Sequence, residues 1–90
     1  MFEWDEAKSD DNLRRRGFDF AYAALIFGES TLEIDDDRER HGELRIRATG
    51  RVENDILFVV YTWRGTIRRI ISARRASKRE RDVYRKIFDR

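Results

Sequence analysis

The sequence predicts an α+β domain with two N-terminal helices, an antiparallel sheet of about four strands and one C-terminal helix. Three observations lead to this fold class. Two helix-cap signals occur in the first third of the chain, four β-branched or alternating segments follow in close succession, and an amphipathic segment with its own cap signal ends the chain. Consecutive strands joined by short turns favour an antiparallel meander with helices packed on it. The length of 90 residues predicts a single domain spanning residues 1–90.

The first third of the chain predicts two helices, each with a polar cap. Asp5 is placed to cap a helix that continues to about Arg16, and Gly17 is placed to end it. Asp19 is placed to cap a second helix over residues 20–27. That second stretch, FAYAALIF, is apolar on all sides, which predicts a helix buried in the core.

The next segment predicts a short strand followed by an exposed loop. Leu32 and Ile34 alternate with polar residues, which is typical of a strand with one buried face. The charged residues that follow, DDDRER, indicate a solvated loop over residues 35–42, and His41 belongs to that loop.

Three further strands are predicted after this loop. In LRIRATGRV, Leu44, Ile46 and Ala48 share one face while the arginines between them face solvent, so this strand is amphipathic. The stretch ILFVVYTW, residues 56–63, is rich in β-branched and aromatic side chains and predicts the central strand. The stretch TIRRIIS, residues 66–72, predicts the last strand.

The C-terminal segment predicts an amphipathic helix that begins at a capping box. In SKRE, Ser77 is placed to cap the helix, and the Glu80 side chain is placed to accept from the backbone N–H of the cap residue. The basic face of this helix is expected to stay in solvent. Four apolar residues share the other face, which is expected to dock on the core: Val83, Tyr84, Ile87 and Phe88.

The composition excludes several classes of protein. Without cysteine the chain can form no disulfide, zinc–thiolate site or thiol nucleophile, and with one histidine it can form no histidine-rich metal cluster. We therefore expect neither a metal nor a cofactor. The apolar runs AYAALIF and ILFVVY are too short to span a bilayer, and the acidic start MFEWDEAKSD lacks the apolar core of a signal peptide.

The charge is unevenly distributed along the chain. The net charge is only +2, but residues 64–90 carry eleven Lys and Arg against three Asp and Glu, so this part has a net charge of +8 and the rest a net charge of −6. A basic C-terminal part is a weak indication of a polyanionic partner such as nucleic acid.

Three stretches resemble the BrnT toxin family of bacterial type II toxin–antitoxin systems. The stretch FEWDEAKSDDN is similar to the family's opening motif, GFDFAYAALIF to its buried helix, and RIISARRASKRERDVY to its most distinctive run. The resemblance implies a small endoribonuclease with a RelE-like fold, located in the cytoplasm, whose action inhibits translation. It also implies a BrnA-like antitoxin partner with a ribbon-helix-helix DNA-binding domain, contact with operator DNA only through that antitoxin, and no contact with a membrane.

One position departs from the family pattern. The family usually has Lys-His before the glycine that corresponds to Gly17, whereas this chain has Arg15 and Arg16 there. If that histidine takes part in the family's chemistry, this chain must work without it.

RNA can be cleaved without a metal when its 2′-hydroxyl attacks the adjacent phosphodiester. The enzyme must remove a proton, stabilise charge on the phosphorane oxygens and protonate the leaving 5′-oxygen. Arginine suits the second task, and glutamate or tyrosine can transfer protons. The basic C-terminal run therefore supplies four candidate catalytic residues: Arg69, Arg74, Glu80 and Tyr84. Six further cations are candidates for binding the RNA: Lys8, Arg64, Arg75, Lys78, Arg81 and Arg85.

Structural explanations compete with these catalytic roles. Glu80 is explained by its capping box and Tyr84 by a place in the core. Arg69 and Arg74 are explained by solvated charge at the end of a strand. A function without catalysis also stays open at this stage, either nucleic-acid binding through the basic helix or interaction with another protein.

Overall fold

The computed structural model describes the backbone of residues 1–40 and 42–89, and all of their side chains except those of residues 37–40. His41, expected in a loop, lies outside the described residues. The described elements are β1 (Phe2–Trp4), α1 (Glu6–Arg16), α2 (Phe20–Ala24), a 3₁₀ turn (Leu25–Gly28), β2 (Leu32–Arg40), β3 (Glu43–Val52), β4 (Asp55–Arg64), β5 (Ile67–Arg75) and α3 (Lys78–Phe88).

The strands form one mixed sheet in the order β1-β5-β4-β3-β2. Strands β2 to β5 are an antiparallel meander with β4 between β3 and β5, as predicted. The prediction of an all-antiparallel sheet of about four strands is wrong in one respect, because β1 adds a fifth strand that runs parallel to β5. Its three residues, FEW, are too few to show the alternation of period two by which a strand is found in a sequence.

Strand β2 is longer than the sequence indicated. The predicted loop is wrong for residues 35–40, because the strand continues to Arg40 with an irregularity of register after Asp36. Asp36 lies opposite Arg45 of β3. Opposite charges on facing strands stabilise strand pairing. An acidic segment with the composition of a loop can therefore pair with β3, in which arginines alternate with apolar residues.

Both N-terminal helices begin at the predicted caps. The Asp5 carboxylate accepts a hydrogen bond from the backbone N–H of Lys8 at 3.1 Å, and Gly17 ends α1 with a left-handed φ of 85°. The Asp19 carboxylate accepts from the backbone N–H of Tyr22 at 2.9 Å. Only the first five residues of the second predicted helix are α-helical, and the 3₁₀ turn completes it.

The main core lies between α2, the 3₁₀ turn and one face of the sheet. Two apolar residues predicted to join this core are exposed instead, Leu25 by 58% and Leu44 by 59%. Leu25 lies on the outer side of the 3₁₀ turn, and Leu44 is at the opposite end of β3 from Gly50, against which that turn packs. The largest fully buried side chains are Phe20, Ile26, Leu57, Val59, Tyr61 and Ile70.

Helix α3 packs on the opposite face, at one end of the sheet. The predicted capping box of Ser77 and Glu80 is confirmed. Tyr84 is buried with Ile56 and Ala76 in a second, smaller cluster. Ile56 precedes a residue of the main core on the same strand, and successive side chains of a strand point to opposite faces. The two sides of the sheet are therefore covered by different helices.

The prediction that four apolar residues of α3 dock on the core is wrong for three of them. Tyr84 is buried, but Val83, Ile87 and Phe88 are exposed by 42%, 43% and 37%. The helix covers only one end of its face of the sheet, and the described residues leave the rest of its apolar stripe uncovered. The periodicity of the sequence shows that a helix has an apolar face. It does not show how much of the sheet lies against that face.

Gly50→Ala is expected to lower the free energy of unfolding by about 1–3 kcal/mol, the usual cost of overpacking. A Cβ at this position would lie 2.7 Å from the Cβ of Ile26, so β3 or the 3₁₀ turn would have to shift. Chemical denaturation measures the change. Gly28→Ala is the matched control, because no atom lies within 4 Å of the added Cβ. Equal losses of stability in the two variants would contradict the described packing.

Candidate active site

The face of the sheet that carries α3 holds two rows of paired residues. Side chains directly opposite one another on neighbouring strands point to the same face, so each row crosses from β2 to β5. Arg74 and Arg47 consequently lie on one face, in adjacent rows and on different strands. The first row is Leu32, Thr49, Phe58 and Arg74, and the second is Ile34, Arg47, Val60 and Ser72.

Arg74 and Glu80 join the end of β5 to the first turn of α3. Nη1 of Arg74 donates to Oε1 of Glu80 at 2.8 Å, and Nη2 donates to Oε2 at 2.9 Å. The guanidinium carbon of Arg74 lies 4.1 Å from the centre of the Phe58 ring. The backbone N–H of Ser77 donates to Oε1 of Glu80 at 2.8 Å. The capping box therefore places Glu80, and Glu80 in turn holds Arg74.

The Glu80 carboxyl is strongly acidic. Its hydrogen bonds to the Arg74 guanidinium lower its pKa from 4.5 to about 2, although partial burial acts in the opposite direction. The same contact raises the pKa of Arg74. At neutral pH Glu80 is therefore a carboxylate with little affinity for protons, better suited to orienting Arg74 than to accepting a proton from a substrate.

A groove with a volume of about 330 Å³ runs between α3 and the β2 side of this face. Its walls are mostly apolar, and its charged lining residues are Arg47, Arg79 and Glu80. Among the described residues, neither Arg47 nor Arg79 has an ion-pair partner, and Nε of Arg47 is buried without a hydrogen bond. Arg47 therefore brings to the groove, next to the Arg74–Glu80 pair, a positive charge that no carboxylate of the described residues neutralises.

Arg47 is not among the site residues predicted from the sequence. The alternation in LRIR assigned Arg45 and Arg47 to a solvated face, where isolated charges are common. The alternation correctly places Arg47 on the face opposite to the main core. It contains no signal that α3 lies over this face and forms a groove with Arg47, since the groove joins segments far apart in the chain.

Arg69 lies on the same face as Arg74 but apart from it. The two arginines are separated by five positions in β5, roughly 16 Å of strand, and an irregularity of register between Ser72 and Ile70 keeps both on one face. Nη1 of Arg69 donates to Glu3 of β1 at 2.6 Å. The structure thus brings Arg74 and Glu80 together, and it places Arg69 beside a different carboxylate.

Tyr84 occupies the second core cluster. It is 3% exposed, and its hydroxyl donates to the backbone carbonyl of Ser30 at 2.8 Å. Burial raises the pKa of the phenol, although the nearby Arg51 guanidinium acts in the opposite direction. This environment corresponds to the structural explanation weighed above, in which Tyr84 anchors α3 to the sheet.

Three of the predicted RNA-binding residues lie on α3 with the groove residue Arg79. Lys78 pairs with Asp82 at 2.9 Å on the exposed side of the helix. Arg81 donates to the backbone carbonyl of Ala76 at 2.8 Å, and Arg85 is exposed in the last turn. Together they make α3 a basic surface at the edge of the groove.

The other three predicted RNA-binding residues lie elsewhere. Lys8 is exposed on α1, and Arg64 ends β4 in a pair with Glu43 at 3.2 Å. Arg75 lies over the ring of Phe18 and donates to the backbone carbonyl of Arg16, on the main-core face of the sheet, opposite to the face that carries α3. The structure does not bring these three cations to the groove.

The fold and this site define a small basic α+β protein with a guanidinium-rich groove suited to phosphate-bearing ligands. Residues 4–80 match the family of the ribonuclease toxin BrnT of type II toxin–antitoxin systems. The chain belongs to this family, as the three resembling stretches predicted, and membership implies an RNA substrate and an antitoxin partner. No curated protein matches the sequence. Within residues 1–40 and 42–89, no helix has the length and apolarity needed to cross a membrane.

Glu80→Gln is expected to lower the free energy of unfolding at pH 7 by about 1–2 kcal/mol, since partial exposure screens the lost ion pair. The folded-state pKa of about 2 lies below the ordinary 4.5. Ionised Glu80 therefore stabilises the fold fully above pH 4.5, and this contribution is lost as the pH falls toward 2. Denaturation curves of both proteins across this range should converge at low pH.

Asp82→Asn provides a control on the same helix, because it breaks an exposed pair with Lys78. Its effect on stability should be smaller than that of Glu80→Gln. The difference in the free energy of unfolding between wild type and Glu80→Gln should shrink from about pH 5 to about pH 2.5, because Glu80 becomes protonated in this range. A constant difference would show that the ion pair is not its source.

Tyr84→Phe is expected to leave RNA cleavage close to that of the wild type. The lost hydrogen bond to Ser30 should lower the free energy of unfolding by about 0.5–1.5 kcal/mol. Cleavage assays and denaturation curves on the same preparation separate the two effects. A fall in cleavage of roughly 10²–10⁴-fold in a folded variant would instead identify Tyr84 as a general acid or base.

Proposed function

We propose that this chain is a metal-independent endoribonuclease that inhibits translation by cutting RNA. One observation supports the proposal most directly. In a chain of the BrnT family, Arg47, which has no ion-pair partner among the described residues, lines the same groove as Glu80 of the Arg74–Glu80 pair. Arginine forks match the geometry of phosphate oxygens, and charge on these oxygens increases when a phosphodiester is cleaved.

The proposed reaction begins with the 2′-hydroxyl of the nucleotide before the cut. Its oxygen forms a bond to the adjacent phosphorus, the bond from phosphorus to the 5′-oxygen breaks, and the products carry a 2′,3′-cyclic phosphate and a 5′-hydroxyl. The proton of the 2′-hydroxyl leaves to solvent, and water supplies a proton to the 5′-oxygen. Arg47 and Arg74 donate to the phosphorane oxygens, so the main contribution of the protein is electrostatic.

The remaining predicted residues take supporting parts in this proposal. Glu80 orients Arg74 through two hydrogen bonds. The cations of α3 attract the RNA backbone, an effect that weakens as salt increases. Arg69 takes no direct part, because it lies along the same face in a pair with Glu3, and Tyr84 anchors α3 from beneath.

The partner in this proposal is a BrnA-like antitoxin with a ribbon-helix-helix domain, which would connect the toxin to operator DNA. Membership in a type II toxin–antitoxin family supports an antitoxin partner. The exposed apolar side chains of α3 provide surface that such a protein could cover. Both proteins would act in the cytoplasm, where translation takes place.

The purified chain is expected to cut labelled single-stranded RNA equally well with and without EDTA, leaving cyclic-phosphate ends. The double variant Arg74→Ala with Glu80→Gln removes both charges of the pair, so no unpaired carboxylate remains, and glutamine can keep the capping box. Cleavage by this variant should fall by roughly 10²–10³-fold, the usual effect of losing a donor to the developing charge.

The double variant Arg14→Ala with Asp11→Asn is the control, since it also removes one cation and one carboxylate, here from exposed ion pairs of α1 in which Asp11 contacts Arg14 and Arg15. It should cut RNA as the wild type does, and its expression should still arrest growth. Loss of cleavage in EDTA would contradict the metal-independent mechanism. If the folded wild type binds RNA but does not cleave it, the chain is a nucleic-acid-binding module and not an enzyme.

A further inference from the structure

The groove has apolar walls and a positively charged end, and a nucleotide has an apolar base face and a negatively charged phosphate. We propose that it is a subsite for one unstacked nucleotide of single-stranded RNA, with the base between its apolar walls and the phosphate on Arg47. The inference rests on the proposed function, because it assigns part of the RNA substrate to this groove. It goes further by naming the residues that hold a base and by restricting cleavage to unpaired segments.

The apolar walls come from two different elements. Leu32 and Ile34 project from β2, and Val83 projects from α3 on the other side of the groove. Ile34 and Val83 are exposed by 53% and 42% although the chain has only a modest supply of apolar residues. Every nucleobase has a flat apolar face, so aliphatic walls can hold an unstacked base with little preference for its identity.

The charged end of the groove suits a phosphate. Arg47 lies opposite Ile34 in the sheet, so its guanidinium is next to the apolar wall that would contact the base. Arg47 lines the groove and has no carboxylate partner among the described residues, so its guanidinium can bind a phosphate oxygen. Arg79 and Arg74 add two positive charges against the single carboxylate of Glu80, whose oxygens already accept from Arg74 and Ser77.

The size of the groove favours a single unstacked base over a double helix. A volume of about 330 Å³ is at the small end of the range for ligand pockets, which suits one nucleotide. In an A-form helix the bases are stacked and the major groove is too deep and narrow for side chains to reach them. Single-stranded loops and ends present bases that can enter such a groove.

The test is a titration of ¹⁵N-labelled protein with adenosine 3′-monophosphate, uridine 3′-monophosphate and inorganic phosphate, followed by NMR. Chemical-shift changes should concentrate on the groove residues. Both nucleotides should bind more tightly than inorganic phosphate by at least about fivefold, the effect expected from stacking one base. Equal affinities for nucleotide and inorganic phosphate, or shifts centred elsewhere, would overturn the subsite.

Variants distinguish the contribution of the base to binding from that of the phosphate. Ile34→Ser and Val83→Ser change exposed side chains, so the fold should tolerate them, and each should reduce nucleotide binding toward the affinity of inorganic phosphate. Arg47→Ala should abolish the binding of both ligands. Leu44→Ser is the matched control, because Leu44 is equally exposed on the other face of the sheet, and it should leave binding unchanged. Loss of binding in Leu44→Ser, or unchanged binding in Arg47→Ala, would overturn the assignment.

Cleavage assays distinguish failure of this inference from failure of the proposed function. If the wild type cuts RNA but does not bind the nucleotides, the subsite is wrong and the ribonuclease stands. If it binds the nucleotides in the groove but cuts no RNA, the subsite stands and the ribonuclease is wrong. A hairpin substrate should be cut in its loop and not in its stem, and equal cleavage of both would contradict the restriction to unpaired RNA.

Discussion

The bidentate contact between Arg74 and Glu80 is the interaction on which the candidate site depends. It joins β5 to α3 across a separation of six positions in the chain, and the capping box of α3 sets the position of the carboxylate. A partly buried ion pair is costly to break because one charge is then left without its partner. The pair therefore determines both where α3 begins over the sheet and where the guanidinium of Arg74 points. The wall of the groove that α3 supplies follows from this contact.

Charge pairing explains how so ionic a chain can produce a localised positive site. Many of its arginines are neutralised by a carboxylate nearby in the fold, as Arg69 is by Glu3 and Arg64 by Glu43. Arg47 differs because its neighbours across the sheet, Ile34 and Val60, are apolar. The apolar environment leaves its charge unpaired, and a charge without a partner in a partly buried setting favours an anionic ligand.

The parts of the fold that depend on local signals could be predicted from the sequence. Asp5, Asp19 and Ser77 each mark a helix start, because a cap needs only residues within one turn. The strand β1 could not be predicted, since it is short and pairs with the distant β5. The full length of β2 could not be predicted either, because its second half has the charged composition of a loop although it pairs with the neighbouring β3. The same distinction applies to the site. The capping box, a local signal, placed Glu80 correctly. Arg47 becomes a site residue only when α3 lies over the sheet and forms the groove.

The parallel pairing of β1 with β5 has a consequence for the order in which the protein folds. Glu3 meets Arg69 across a separation of 66 positions, so β1 has no partner strand until β5 has left the ribosome. Contacts of such long range form late, because the intervening loop must close first. Arg74 and Glu80 lie in β5 and α3, which are synthesised after the other described elements. A nascent chain therefore lacks both the completed sheet and the groove until these two elements have emerged, so the candidate site is the last part of the described fold to form.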